Sequence, residues 1–199
     1  MEPVSRIRAG AVPFARANID TDQILPARYL ARPRDDNHGE YLFRDVRLAP
    51  DGSEVEDFPL NRPHWREARI VLGGANFACG SSRENAVWAL YDHGIRAVIA
   101  PSFGDIFANN SVKNGMLAIV LPADAVAELM AEAEAEPGAE ISVDLPAQTV
   151  TSAGGTVWQF DIDPFAKRSL LEGLDELAFT LTHADDIAAF ERRIGRGNS

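Results

Sequence analysis

The segment Gly80-Ser81-Ser82-Arg83-Glu84 sets two hydroxyls, a guanidinium and a carboxylate side by side, downstream of the small residues Gly73, Gly74 and Ala75. It opens a helical pattern. The start of a helix offers free N–H groups and the positive end of the helix dipole, and together these attract anions. Arg83 can grip a carboxylate through two parallel hydrogen bonds, a geometry lysine does not match. A serine hydroxyl alone is far too weak an acid to act as a base, but the same positive field would stabilise its alkoxide. Ser81 and Glu84 also have the Ser-x-x-Glu spacing of a capping box, in which the serine oxygen accepts an N–H of the first turn and the glutamate reaches back. That box is expected here, and it leaves room for an anion. A hydrolase nucleophile at Ser81 fits less well, since Gly-x-Ser-x-Gly is absent and no neighbouring histidine suggests a triad, although triads assemble in space. Neither Gly-x-x-x-x-Gly-Lys-Ser/Thr nor Gly-x-Gly-x-x-Gly occurs, so a phosphate loop fits poorly.

Other clusters read two ways. Asp20-Thr21-Asp22 is either an Asx-type turn that satisfies its own backbone or part of a cleft wall. Lys113-Asn114-Gly115 reads as a turn entering a strand, and Cys79 as a small packed residue.

The elements that must position these residues alternate. Arg69 to Leu72, Arg96 to Ala100 and Met116 to Leu121 are short apolar strand candidates. Between and after them stand helical patterns: Ser82 to Asp92 stopped by Gly94, Phe103 to Asn110 with Ser102 as its cap, and Ala123 to Glu136 stopped by Pro137-Gly138. This order predicts an α/β fold with a parallel or mixed sheet and flanking helices. Ile141 to Leu145, Gln148 to Thr151 and Val157 to Ile162 form a strand-rich stretch that suggests a β-barrel-like closure added to the core. Pro164 to Leu171 and Asp185 to Arg193 read as short helices, followed by a frayed tail over about 194–199. The part before about Pro63 is rich in Pro, Gly, Asp and Arg and reads as loop or ligand-facing structure. A loop as long as Ala31 to Asn61 is usually functional or mobile.

Composition narrows the function. The 199 residues fit a single domain, and 46% apolar content is enough for a proper core. A formal charge of −11 leaves no basic surface for phosphates, so nucleic acid is not an expected partner. No run approaches the roughly 20 apolar residues that cross a bilayer, and Met1 to Val12 lacks a signal-peptide core, so the chain reads as cytoplasmic with no membrane partner. One cysteine excludes an internal disulfide and cannot alone hold an iron–sulfur cluster. His38, His64, His93 and His183 lack metal-site spacing, so this chain is expected to bind neither metal nor cofactor.

Four ordered segments then carry a resemblance over most of the length. They are Asn18-Ile19-Asp20-Thr21-Asp22-Gln23-Ile24-Leu25-Pro26, Asn76-Phe77-Ala78-Cys79-Gly80-Ser81-Ser82-Arg83-Glu84, Ala100-Pro101-Ser102-Phe103-Gly104-Asp105-Ile106-Phe107-Ala108-Asn109-Asn110, and Lys113-Asn114-Gly115. In this the chain resembles the small subunits of 3-isopropylmalate dehydratase, in the aconitase superfamily. The resemblance implies a swivelling α/β domain, residues 1–199, that closes over a large-subunit partner carrying a [4Fe-4S] cluster. It implies dehydration and rehydration of 2-isopropylmalate to 3-isopropylmalate, a hydro-lyase step of leucine biosynthesis. On this resemblance Ser81 is the base that takes the carbon-bound proton, Ser82 and Arg83 hold a substrate carboxylate, and Asp20, Thr21 and Asp22 line the cleft.

The resemblance also implies that substrate choice rests on the loop Ala27 to Gly39, within a segment of about 27–61. There Arg32 is the candidate for a second carboxylate contact, with Arg28 and Arg34 behind it. Asn37-His38-Gly39 replaces a Gly-Phe-Gly-like turn common in bacterial members, and Asn85-Ala86-Val87 replaces His-Ala-Pro. These departures leave base and clamp in place while keeping citraconate, maleate or a dimethylmalate open as substrates. A non-catalytic carboxylate-binding module is a further alternative.

Overall fold

The computed structural model describes residues 1–34, 38–81, 83–174, 180–181 and 184–195. Seven strands form one sheet in the order β4-β3-β2-β1-β5-β6-β7. They are β1 (Arg6–Phe14), β2 (Ile70–Gly73), β3 (Ala97–Ala100), β4 (Leu117–Val120), β5 (Glu140–Asp144), β6 (Thr149–Thr151) and β7 (Val157–Gln159). Strands β1 to β4 pair in parallel, and β5, β6 and β7 continue the sheet antiparallel. The antiparallel part is the expected barrel-like closure, present as a half-barrel.

The parallel strands are apolar on both faces because both are covered, as buried parallel sheets require. In β3, Val98 and Ala100 enter one core with Ala86, Val87 and Leu90. Ala97 and Ile99 enter the other with Ala125, Val126 and Leu129. The first face is covered by α3 (Glu84–Asp92) and much of the segment before β2. The second is covered by α5 (Ala123–Ala135) and α6 (Pro164–Glu172). Asp163 caps α6 by accepting the Ala166 N–H at 3.0 Å, with Pro164 as its first residue. Among the described residues the remaining helices are two single turns, α1 (Thr21–Ile24) and α2 (Arg44–Arg47), then α4 (Phe107–Lys113) and α7 (Ala184–Gly195). The expected tail beyond 195 lies outside the described residues.

Three expectations change. First, residues 1–63 are not loop throughout, since nine of them form β1 at the centre of the sheet. Pro13 argues against a central strand on sequence grounds because it donates no ladder bond. The pairing resolves this: β5 accompanies only Arg6 to Gly10, and β2 only Ala11 to Phe14, so Pro13 stands where one edge of β1 carries no strand. Second, the helix expected at Phe103 begins at Phe107, because Ser102 accepts the Asn76 N–H at 2.8 Å instead of capping. Residues 102–104 bond to Phe77, with Phe77 N–H on Ser102 O and Gly104 N–H on Phe77 O. Third, the segment 27–61 has its own elements, with 3₁₀ turns at Ala27–Tyr29, His38–Tyr41 and Pro59–Asn61, besides α2. Leu42 and Phe43 are buried within it.

This segment is pinned to the C-terminal end of α3. Arg34 grips Asp92 at 2.7 and 3.0 Å. Gly39 lies so close that a Cβ there would stand 2.5 Å from the His93 backbone nitrogen. His93 is hydrogen-bonded to the Gly39 backbone, and burial, assisted by Arg47, holds its pKa below the ordinary histidine value. A neutral His93 in the fold means that the unfolded chain binds more protons as pH falls below about 6.5. Stability is therefore fully present above that pH and declines as pH drops toward the depressed folded pKa. Urea midpoints between pH 7.5 and pH 5 should fall for the wild type, and His93→Gln should flatten the decline.

Candidate functional site

Strands β1 and β2 run parallel and end together, with Phe14 opposite Gly73. The chain leaving each then stays paired with the other: Gly74 N–H bonds to Phe14 O, Asn18 N–H to Ala75 O, Cys79 N–H to Ile19 O and Thr21 N–H to Cys79 O. Ligand sites of open α/β sheets form at such carboxyl ends of strands. A cavity of about 220 Å³ opens here, lined by Thr21, Asn76, Ala78 to Ser81 and Arg83, and closed on the far side by Gly104 to Phe107 and Asn110.

The backbone around it is strained in a localised way. Asn18, Asn76 and Ala78 sit at φ 57°, 56° and 56°, left-handed values costly for an alanine above all. Asn76 and Asn18 hold each other through their side chains at 2.8 Å. Gly80, at φ 91°, makes the turn that brings Ser81 to the cavity.

Ser81 is exposed on the wall, and its carbonyl accepts the buried Thr21 hydroxyl at 2.9 Å. Arg83, only 18% exposed, pairs through Nη1 with Asp22. A guanidinium carries five donors, so this contact leaves others for the cavity that Arg83 lines. The expected capping box is not formed. Arg83 itself occupies the N-cap of α3, with no side-chain cap bond, so the helix starts too late for Ser81 to cap it. Glu84 instead accepts the Asn114 side-chain amide at 2.8 Å, while Asn114 Oδ1 accepts from Arg34 at 3.1 Å. Asn114, expected only to shape a turn, thus joins the 27–61 segment to the first turn of α3.

The other expected site residues separate. Ser82 lies outside the described residues. Asp20 does what an Asx turn does, accepting Gln23 N–H at 2.7 Å, and does not line the cavity. Asp22 reaches the site through Arg83. Arg32 is exposed, with its guanidinium 6.0 Å from the Tyr41 ring, and is not part of the cavity wall. Arg28 is committed to Asp45 and the Tyr29 ring, Arg34 to Asp92 and Asn114. Wall residues not singled out from sequence are Asn76, Asp105, Ile106 and Asn110. Asn76 had a usable signal, since asparagine is the non-glycine residue most at home at positive φ.

Cys79 is partly exposed at the cavity. Among the described residues no three His, Cys, Asp or Glu side chains converge in a way that could hold a metal ion. The donors present suit a carboxylate rather than a metal: a guanidinium, a serine hydroxyl and the N-terminal end of a nine-residue helix. Among the described residues no helix is long and apolar enough to cross a membrane.

Fold and site together define an aconitase-type domain: a family model described as the aconitase C-terminal domain matches residues 1–124, and one described as LeuD_N matches 127–164. The chain is 49% identical over 191 residues to the 3-isopropylmalate dehydratase small subunit of Anaeromyxobacter dehalogenans, covering 96% of this chain and 98% of that one. It is 48% identical over 193 residues to the small subunit from a Ruegeria species, covering 97% and 96%. The chain belongs to the family of 3-isopropylmalate dehydratase small subunits. The crystal structure of 3-isopropylmalate dehydratase (leuD) from Methanocaldococcus jannaschii superposes with a TM-score of 0.66 at 26% identity, covering 94% of this chain and 99% of that one.

The far wall depends on close backbone contact. A Cβ on Gly104 would stand 2.4 Å from the Ala78 carbonyl oxygen. Gly104→Ala must push the two wall segments apart, and overpacking of this kind costs about 1–3 kcal/mol. The loss should appear as a lower denaturant midpoint with an unchanged slope.

Proposed function

We propose that this chain is the small subunit of a heteromeric hydro-lyase that isomerises 2-isopropylmalate to 3-isopropylmalate by dehydration and rehydration, in cytoplasmic leucine biosynthesis. The observation that carries the reading is the convergence of Ser81 and Arg83 at one cavity beside the start of α3, in a chain of this family. The whole chain acts as one swivelling domain over a large subunit, and that partner holds a [4Fe-4S] cluster. When bound there, the cluster supplies Lewis-acid polarisation of the substrate hydroxyl and a carboxylate.

The work of this chain is binding and proton transfer. Arg83, oriented by Asp22, offers its remaining donors to a substrate carboxylate, and Ser82 assists. Arg32 meets a second carboxylate when the domain closes. Ser81, facing the cavity near the positive end of α3, takes the proton from carbon and returns it on rehydration. Of the Asp20-Thr21-Asp22 cluster, Asp22 acts on substrate through Arg83 and Asp20 shapes the turn.

In the reconstituted pair, Ser81→Ala should lower turnover at least about a hundredfold, the scale of a lost general base, with complex formation intact. Near-normal turnover would instead support a carboxylate-binding module. Arg83→Lys should raise KM about ten- to a hundredfold, since a charged hydrogen bond is lost. A panel of isopropylmalate, citraconate, maleate and dimethylmalate on the same pair fixes the substrate, and a preference for a smaller dicarboxylate would replace isopropylmalate in this reading.

A further inference from the structure

Thr21 makes two donations to one short stretch of chain. Its N–H bonds to Cys79 O at 2.9 Å and its hydroxyl to Ser81 O at 2.9 Å. Between those carbonyls lies Gly80, whose positive φ lets the chain turn there beside Thr21. Thr21 is itself 3% exposed, so its hydroxyl is sheltered from water, and it lies at the start of the α1 turn, fixed by the Asp20 cap. One residue further, Asp22 holds Arg83.

From this geometry we infer that Thr21 is a positioning residue for Ser81, not a substrate contact. Held at its carbonyl, Ser81 keeps one backbone orientation, and its Cα–Cβ bond leaves toward the cavity it lines. The ladder between residues 19–21 and 79 stops at Cys79, and the Thr21 hydroxyl extends it by the two residues needed to reach the base. This inference rests on Ser81 acting as the base.

The test is steady-state kinetics of the reconstituted pair with 2-isopropylmalate. Thr21→Val keeps the shape and removes the donor, and it should lower kcat about a hundredfold, the cost of misplacing a reacting group by an ångström, with KM within about twofold. Thr21→Ser keeps the donor and should stay near wild type. In a Ser81→Ala background, Thr21→Val should lower kcat no further, which a substrate contact or a general loss of structure would not reproduce. A raised KM at unchanged kcat, or an additive loss in the Ser81→Ala background, overturns the inference. If Ser81→Ala alone retains wild-type turnover, the base reading fails, and that result is distinct from a silent Thr21→Val beside an inactive Ser81→Ala. Should Thr21→Val not fold, Thr21→Cys, similar in size and a poor donor, carries the same comparison and the same outcomes.

Discussion

Everything at the site depends on two chains that leave the sheet together. Because β1 and β2 are parallel neighbours ending at Phe14 and Gly73, the segments that follow can keep exchanging backbone hydrogen bonds beyond the sheet, out to Thr21 and Cys79. That continuation carries the serine, the arginine and the acidic partner of the arginine to one place from positions some sixty residues apart in sequence, as the Thr21–Ser81 bond illustrates with its separation of 60. A strand pair that diverged at once would leave a loop at each end and no fixed spacing between hydroxyl and guanidinium.

The net charge of −11 gives this arrangement its electrostatic setting. An anion at the cavity gains nothing from the overall field and must be captured by short-range contacts, which salt screens less when they are partly buried. Most arginines with described partners are neutralised by carboxylates: Arg6 by Asp144, Arg8 by Glu140, Arg28 by Asp45, Arg34 by Asp92 and Arg66 by Glu54. Arg83 follows the same rule, yet it is the one of these that also lines the cavity. Pairing with Asp22 lets a mostly buried cation persist there while fixing the plane of its remaining donors.

The alternating half of the fold was legible because β2, β3 and β4 are continuous apolar runs and the helices between them have clear stops. Ser81 and Arg83 were legible as candidates because their types limit what they can do at a helix start, and the fold brings both to one cavity. β1 was hidden by Gly10 and Pro13, tolerated because its pairing changes partner midway. The capping box failed because tertiary bonds at Ser81 O and Glu84 displaced a purely local preference. Arg32 was a candidate through the resemblance alone, and Arg28 and Arg34 show how often a loop arginine is occupied by its own fold. The far wall, Gly104 to Asn110, could not be read as a wall, because the chain entering it at Phe103 and Gly104 pairs with Phe77 across α3 and β3, which only folding brings near.

The pinned segment between Leu25 and Asn61 has the properties of a cassette. It enters at the buried Ile24 and Leu25 and leaves at Asn61, whose side-chain amide donates to Arg47 O at 2.7 Å and Val55 O at 2.9 Å. Its two ends are thus set by the core and its middle by Arg34 on α3. A stretch bounded in this way can change its exposed residues without disturbing the strands beneath, provided the arginine and the tight glycine at 39 are kept. Sequence change, in nature or by grafting, has a route here that leaves the cavity wall at Ser81 and Arg83 untouched.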